Sequence, residues 1–253
     1  MNKTLVIAGK DIRSAFVTPL AYVLVAGFVL ISGFFFFSLV QRFNEDLAQS
    51  AMIPNLNPNL NSWVIEPYFQ TIEVVLIFLL PIMTMRSFAD ERSSTTYEFL
   101  CTSPIGICEL VWGKFIGAFS TVFVSLLLSF VFPLLLLFMT NPELGPILTG
   151  CLGLILFAMA YTALGVAISA WSKSQAVAGV LSLVVFLMIY VIDEPASRVG
   201  EMFGSVLQYL SPAHHTEMLY KGVLSSSDIT YFLSIVALGI FLGVRKLDSE
   251  RWG

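Results

Sequence analysis

The stretch SAFVTPLAYVLVAGFVLISGFFFFSLVQ (Ser14–Gln41) decides the fold, because it runs for 28 residues without a charged side chain. A helix needs about 20 apolar residues to cross the hydrocarbon core of a bilayer. The stretch therefore predicts a membrane-spanning helix with its core at 19–40. It starts too late, and is longer than the apolar run of about 7–15 residues in a secretory signal peptide, so we expect it to remain as the first span.

The whole chain of 253 residues is poor in charge. It carries 13 Lys or Arg and 17 Asp or Glu, which makes 12% charged residues beside 57% hydrophobic ones. An ordinary soluble domain has about 25% charged residues. This composition excludes a soluble enzyme domain, a disordered chain and a nucleic-acid binder, which needs a basic surface. The three cysteines have neither disulfide nor metal-ligand spacing and are expected to act as small apolar residues.

Gaps between charges predict an all-α integral membrane protein with six transmembrane helices in a single domain, 1–253. The predicted cores are 19–40, 69–85, 116–139, 148–170, 175–192 and 229–244. Ten of the 13 basic residues then fall on the side that holds both chain ends, and only Arg42, Arg198 and Lys221 fall on the other. Basic residues are enriched on the cytoplasmic side of membrane proteins, so both termini are predicted to be cytoplasmic. Small residues such as Gly150, Gly153 and Gly165 can allow close helix packing.

Two segments outside these spans are predicted to be helical. Residues 2–16 place Leu5, Ala8, Ile12 and Phe16 near one face, which favours a helix lying at the cytoplasmic interface, although a few disordered residues before the first span are an alternative. Within 196–223, apolar residues from Val199 to Leu210 recur at helical spacing. That stretch is too short to cross, so it is predicted to lie in the outer interface or to dip in and return.

The predicted cytoplasmic loop 86–114 is the most charged part of the chain, with seven charged side chains. Ser93 or Ser94 can cap a short helix that Ser103–Pro104 ends, so that 93–104 is predicted to be amphipathic. Its apolar side consists of Tyr97, Leu100, Cys101 and Pro104. Such a face either lies on lipid headgroups or docks into a cytoplasmic partner, and composition does not separate the two.

No catalytic pattern accompanies these helices. The phosphate-binding pattern GxxxxGK[ST] and the zinc-protease pattern HExxH are absent from the sequence, and no predicted span contains Asp. Glu73 is the one ionisable residue inside a predicted span, where it either lines a pathway or dimer contact, or stays wet near the outer interface. His214 and His215 are either polar loop residues or, with less support, metal ligands. A membrane protein without catalytic groups needs energy from elsewhere, which points to a permease driven by a separate ATPase.

The segment TMRSFADERSSTTYEFLCTSP (Thr84–Pro104) resembles the signature of ABC-2 type transporter permeases, in which an acidic–basic pair precedes a Gly-Thr-x-Glu-x-Leu-x-Thr-x-Pro run. Matching residues are Glu91, Arg92, Thr96, Glu98, Leu100, Thr102 and Pro104, whereas Thr95 stands in place of the usual Gly. Gly113–Lys114 matches a Gly-Lys that follows in the family. Residues 10–37, 210–238 and 245–252 are similar to one subfamily, the gliding-motility-associated permease subunit and its relatives.

This resemblance implies an ABC-2, type V exporter-like fold with an N-terminal interfacial helix and a coupling helix at 93–104. Tyr97, Leu100 and Cys101 would pack into a groove of the ATPase, while Glu91, Arg92 and Glu98 would pair with the N-terminal helix or the ATPase. It further implies a non-catalytic subunit of a bacterial cytoplasmic (inner) membrane, without a cofactor of its own because the ATPase subunit, in two copies, binds ATP. A second permease copy or a related subunit, a third extracytoplasmic subunit and membrane lipid are the other expected partners.

Two other functions stay open from the sequence. One is an uncoupled channel or secondary carrier in which Glu73 handles the ion. The other is an anchor that uses the same ATPase to act mechanically on the cell envelope. The transported substrate is not indicated by any residue pattern.

Overall fold

The computed structural model of the chain describes residues 3–50, 59–93, 106–139, 143–192 and 201–251, and every regular element within them is helical. The first half contains α1 (Lys3–Val17), α2 (Pro19–Ser50), a π-helical turn (Asn61–Ile65), α3 (Glu66–Thr84), α4 (Arg86–Ser93), α5 (Ile107–Ser129) and α6 (Val131–Met139). The second half contains α7 (Leu144–Trp171), α8 (Gln175–Val191), α9 (Glu201–Leu210), α10 (Pro212–Tyr220) and α11 (Ser226–Arg251).

Five stretches in the described ranges are long and apolar enough to cross a membrane. They are Pro19–Ala48, Asn61–Arg92, Ile107–Leu137, Leu144–Trp171 and Ser226–Glu250. The predicted fifth span, 175–192, corresponds to the shorter apolar helix Gln175–Val191. The helix that contains the last predicted span, 229–244, extends beyond those bounds: α11 has 26 residues and includes Asp228 and the charged residues after Val244.

The helix α7 lies at the centre of the bundle and α2 at its periphery. In the most apolar window of each helix, 61% of the residues of α7 are buried, against 28% for α2. Glycines let neighbours approach α7, as the sequence predicts: Gly150 meets the ring of Phe69, and Gly165 meets the side chain of Thr84. At the contact between α7 and α11, a Cβ on Gly239 would lie 2.7 Å from the backbone carbon of Ala163.

A buried hydroxyl cluster joins the peripheral α2 to the rest of the bundle. The hydroxyl oxygens of Ser32 on α2, Tyr68 on α3 and Ser129 on α5 lie 2.7–2.8 Å from one another. The hydroxyl of Tyr68 also lies 2.9 Å from the carbonyl oxygen of Ser129, to which it can donate. Hydroxyls pair with each other in an apolar interior because no water is available to them. The cluster therefore fixes the contact among three helices.

The N-terminal helix α1 packs on the start of α5. Ile7 contacts Gly113 and Asp11 contacts Gly117, so the absence of a side chain at both glycines admits α1. This differs in part from the predicted apolar stripe, because Ala8 is buried whereas Leu5 is exposed. Thr18 ends the helix by donating its hydroxyl to the carbonyl oxygen of Ala15 at 2.8 Å, and the chain turns there into α2.

The segment predicted at 196–223 contains two helices rather than one stripe. Ser211 separates α9 from α10, and Pro212 occupies the first turn of α10, where a missing N–H costs nothing. Leu219 and Tyr220 at the end of α10 are fully buried and contact Gly153 of α7. The predicted coupling helix at 93–104 lies outside the described residues except for Ser93, the last residue of α4.

Candidate coupling site and buried polar groups

The candidate coupling site is built around α4, which follows α3 after a break at Met85. Pro81 lies inside α3, where its ring removes one backbone donor, and at the end of the helix Met85 N–H still donates to the Pro81 carbonyl oxygen at 2.9 Å. The chain then starts again as α4, whose first-turn N–H groups need acceptors from outside the helix. This break allows α4 to take a position of its own against the neighbouring helices.

Ser169 of α7 supplies the acceptor that this break requires. Its hydroxyl oxygen accepts hydrogen bonds from the N–H groups of Phe88 and Ala89 at 3.1 and 3.2 Å, and the hydroxyl donates to the carbonyl oxygen of Met85 at 3.0 Å. Ser169 is fully buried. One side chain of the central helix therefore caps α4 in the way that an N-cap residue normally caps its own helix.

Lys114 is the buried centre of the charges around α4. Its ammonium lies 2.6 Å from Oε1 of Glu91 and 3.2 Å from Oδ2 of Asp11, while its side chain is only 5% exposed. The same ammonium lies 5.8 Å from the centre of the Phe88 ring. A buried ammonium requires opposite charges to offset its desolvation. Lys114 thereby joins α5 to α1 and α4.

Two further contacts fix α4 to the second half of the chain. The guanidinium of Arg92 lies 2.6 Å from Oε2 of Glu250 near the end of α11, and Lys246 pairs with the same carboxylate at 2.9 Å. The side-chain amide of Gln175, the first residue of α8, donates to Asp90. With Ser169 and Lys114, these contacts connect α4 to α1, α5, α7, α8 and α11.

Of the predicted coupling residues, the structure describes two. Glu91 and Arg92 both form ion pairs, Glu91 with Lys114 of α5 and also, at 3.9 Å, with Lys10 of the N-terminal helix, and Arg92 with α11. The other seven lie outside the described residues: Thr96, Tyr97, Glu98, Leu100, Cys101, Thr102 and Pro104. Sequence reasoning missed Ser169, Asp11 and Glu250. The position of Lys114 at the edge of an apolar run was a signal for burial.

Glu73 lies at the opposite end of the bundle and is buried, with 2% exposure. Its Oε2 accepts hydrogen bonds from the hydroxyls of Thr216 at 2.9 Å and Tyr220 at 2.7 Å, both on α10. Its Oε1 has no hydrogen-bond partner among the described residues. The alternative of a wet carboxylate at the outer interface is therefore wrong. Glu73 fastens α10 to α3.

His215 connects α10 to the start of α11. Its Nδ1 lies 2.8 Å from Oδ1 of Asp228, its Nε2 lies 3.0 Å from the carbonyl oxygen of Tyr209, and its ring stacks on Tyr231 with centroids 4.0 Å apart. The interpretation of His214 and His215 as loop residues is wrong, because both lie in α10 and His215 is buried. Within the described ranges, no three His, Cys, Asp or Glu residues group to hold a metal ion.

Comparison with known proteins agrees with this helical architecture. Residues 5–245 match the family model described as ABC-2 family transporter protein. No curated protein matches the chain at a significant level. The matched region contains all of α1–α10 except the first two residues of α1, and most of α11. It includes Lys114 with its two carboxylates and the contacts of Glu73, but not Lys246 or Glu250. The chain belongs to the ABC-2 family of transporter proteins.

Proposed function

We propose that this protein is the membrane permease subunit of an ATP-driven exporter and that separate ATPase subunits move it through α4. Members of the ABC-2 family are in general non-catalytic permease components of ABC exporters that work with an ABC ATPase. The observation that carries the proposal for this chain is the set of contacts that ties α4 to five other helices. The segment proposed to contact the ATPase, 93–104, follows directly after α4.

The contacts of α4 suit the transmission of a movement from a soluble partner. Ion pairs and hydrogen bonds have definite geometry, so a displacement of α4 must also displace Lys114 on α5 and Glu250 on α11 or break these pairs. An apolar contact against lipid would permit α4 to slide instead. ATP binding that brings two ATPase subunits together would therefore reorient the helices of the permease.

Six crossings fit this arrangement, with both chain ends in the cytoplasm of a bacterial cell. Gln175 at the start of α8 contacts Asp90 of α4, whereas α10 and the start of α11 lie at the far end, beside Glu73 and His215. The chain must travel between these two ends through α8. Its 17 residues reach about 26 Å as a helix, slightly less than a hydrocarbon core of about 30 Å.

A second permease subunit would complete the pathway. Side chains such as Leu30, Phe34 and Phe37 of α2 are strongly exposed, and so are Val180 and Met188 of α8. These exposed apolar faces can contact either lipid or a second permease subunit. A pathway on a two-fold axis requires that part of them contacts the second subunit. The proposal covers both a second copy of this chain and a related subunit.

Co-purification from the native membrane tests the ATPase contact. Replacing Tyr97 and Leu100 with Asp should prevent an ATPase subunit from co-purifying, because both side chains are proposed to enter its apolar groove. Val223→Asp is the matched control, since Val223 is an exposed apolar residue that follows α10 at the other end of the bundle. Undiminished ATPase in the Tyr97→Asp/Leu100→Asp preparation, at equal permease yield, would refute the contact.

The buried carboxylate of Glu73 supports a second candidate function, a secondary carrier driven by protons. An ionisable side chain inside the membrane with one uncommitted oxygen is typical of proton-handling sites. In vesicles without nucleotide, a carrier would move its substrate in response to a proton gradient, and Glu73→Gln would stop that movement. An ATP-driven exporter would instead require nucleotide and its ATPase, and Glu73→Gln would leave transport in place.

A further inference from the structure

A cavity of about 550 Å³ lies between the α1–α2 junction and the α3–α4 junction, with α5 as its back wall. The lining of the cavity has a charged side and an apolar side. The side toward α1 and α4 is charged and includes Lys10, Asp11, Arg86, Asp90, Glu91 and Lys114. The side toward α2, α3 and α5 is apolar and includes Leu20, Leu24, Ile82, Met83 and Ala118. Such a division matches the boundary between lipid headgroups and acyl chains.

The position of the cavity along the spans agrees with that match. Arg86 follows the apolar part of α3, and Lys114 precedes the apolar part of α5, so both mark the end of the hydrocarbon region. Leu20 and Ile82 at the rim are both more than one-third exposed. A chain that leaves the cavity beside them would therefore enter the acyl region of the bilayer.

Charge on the wall indicates which headgroup the cavity suits. Three basic and three acidic side chains line it, so the wall has no formal net charge. The guanidinium of Arg86 is exposed and forms no ion pair or hydrogen bond within the described residues, so it is available to a phosphate in a bidentate geometry. The carboxylate of Asp11 contacts Lys114 but is 21% exposed, and since a carboxylate accepts up to about four hydrogen bonds, it retains capacity for a further donor.

We infer that this cavity binds a phospholipid whose headgroup carries both a phosphate and a primary ammonium group. The phosphate binds Arg86, the ammonium donates to the carboxylates of the charged side, and an acyl chain lies along Leu24, Ile82 and Ala118. A phosphocholine headgroup has the same charges but no N–H to donate, and a phosphoglycerol headgroup adds net negative charge to a wall that does not compensate it. This inference goes beyond the proposed transport function and does not depend on it.

Lipid titration of the purified full-length chain in neutral detergent tests the inference, with fluorescent phosphatidylethanolamine as the probe. Phosphatidylethanolamine should bind about tenfold more tightly than phosphatidylcholine, because a hydrogen bond to a charged group is lost in the latter. Arg86→Gln should weaken its binding about fivefold, the usual contribution of one basic residue at a lipid headgroup. Arg13→Gln is the matched control: Arg13 is an exposed, unpaired residue of α1 within the described chain that does not line the cavity, and its removal should change nothing.

A variant of the apolar side completes the test. Ala118→Phe should fill the cavity and abolish binding while elution volume and helical content stay as in the wild type. Equal binding of the ethanolamine and choline lipids, or tighter binding of phosphatidylglycerol, would overturn the inference. So would equal losses in Arg86→Gln and Arg13→Gln, or displacement of the lipid by soluble phosphoethanolamine at the same concentration, which would indicate a site for a small ion. If Ala118→Phe does not fold, the comparison of Arg86→Gln with Arg13→Gln still tests the inference.

Discussion

Lys114 shows how a single charge can hold three helices together at the end of a membrane bundle. Its ammonium has 5% exposure and is neutralised by two carboxylates that come from different elements, Asp11 of α1 and Glu91 of α4. Lys10 is close by but 71% exposed, and it lies 3.9 Å from the same Glu91. The two lysines share Glu91 as a partner but differ strongly in burial, so they separate the effect of a buried ion pair from that of a surface one.

Lys114→Met should lower the free energy of unfolding by about 3 kcal/mol, because it leaves two poorly hydrated carboxylates without their shared cation. Lys10→Met should change it by less than about 0.5 kcal/mol, since exposed pairs contribute little. Thermal unfolding of the purified chain in detergent, followed by tryptophan fluorescence, measures both. Equal effects of the two variants would mean that Lys114 is not the centre of the charges around α4.

Ser169→Ala should destabilise the protein by about 1–3 kcal/mol, because two buried N–H groups at the start of α4 lose their acceptor. Ser172→Ala is the control, since Ser172 is also buried but its hydroxyl donates only to the carbonyl oxygen of Ile168, one turn earlier in the chain. That variant should stay within about 0.5 kcal/mol of the wild type. The same unfolding assay compares them, and a larger loss for Ser172→Ala would contradict the capping role.

At the scale of single residues, the sequence could predict which charged residues are important but not which of them form ion pairs with each other. The segment 84–104 pointed to Glu91 and Arg92, and both form ion pairs, yet their partners Lys114 and Glu250 lie 23 and 158 residues further along the chain. Ser169 had no signal, because a serine in an apolar helix most often donates to its own backbone. Partners of this kind depend on tertiary packing, which local patterns do not contain.

At the scale of elements, the short helix α10 depends on Glu73 for its position against α3. Thr216 has carbonyl oxygens of Pro212 and Ala213 within 3.2 Å as alternative acceptors, whereas the other hydrogen-bonding group beside the Tyr220 hydroxyl is the hydroxyl of Thr216. Removal of the carboxylate therefore leaves the buried Tyr220 hydroxyl with a neutral hydroxyl in place of a charged acceptor. The cost falls on the tyrosine rather than on the threonine.

Glu73→Ala should accordingly weaken the attachment of α10 by about 1–3 kcal/mol, while Glu73→Gln should cost less because its amide oxygen still accepts. Amide hydrogen exchange in residues 212–220 measures the attachment. Glu217→Gln, on the exposed side of the same helix, should leave exchange unchanged. Exchange that stays slow in Glu73→Ala would mean that packing on α7, and not the carboxylate, holds α10.

The contact between α7 and α11 depends on a glycine for a different reason. Gly239→Ala should cost about 1–3 kcal/mol, because the new methyl group would meet the backbone of Ala163, which cannot rotate away as a side chain can. Gly27→Ala should be neutral or stabilising, since nothing lies within 4 Å of a Cβ there and alanine favours a helix. Thermal unfolding in detergent compares the two, and equal midpoints would show that α11 can shift without loss.

Long apolar helices were the easiest elements to predict, because an uncharged run is a strong local signal. The π-helical turn at Asn61–Ile65 and the break at Ser211 were not predicted. Both depend on contacts with neighbouring helices. The helix α10 packs inward because its Tyr220 donates a hydrogen bond to Glu73 and because Gly153 leaves room for its end. The composition of 196–223 was amphipathic enough for an interfacial segment but did not indicate that its second half would be buried.

At the scale of the whole molecule, one end of the helix bundle is charged and the other is closed by α10. This division follows from the positions of the few charged residues in the sequence. The predicted six crossings rested on the gaps between charges and were supported by the asymmetry of basic residues. The structure gives five helices of full length and an α8 of 17 residues within the described ranges. The direction of α8 is therefore the feature on which the topology of the second half depends.

Cysteine labelling tests that topology in intact cells. Cys101, Cys108 and Cys151 are first replaced by Ala, and single cysteines are then placed at Lys173, before α8, and at Ser226, at the start of α11; both positions are exposed. If α8 crosses, a membrane-impermeant maleimide added outside should label Ser226→Cys but label Lys173→Cys only after the membrane is opened. Labelling of both from the same side would mean that α8 returns without crossing, so that the two chain ends would lie on opposite sides. That result would exclude both the six-crossing arrangement and the ion pair between Arg92 and Glu250, because a chain with five crossings cannot keep α1 and the end of α11 in the same compartment.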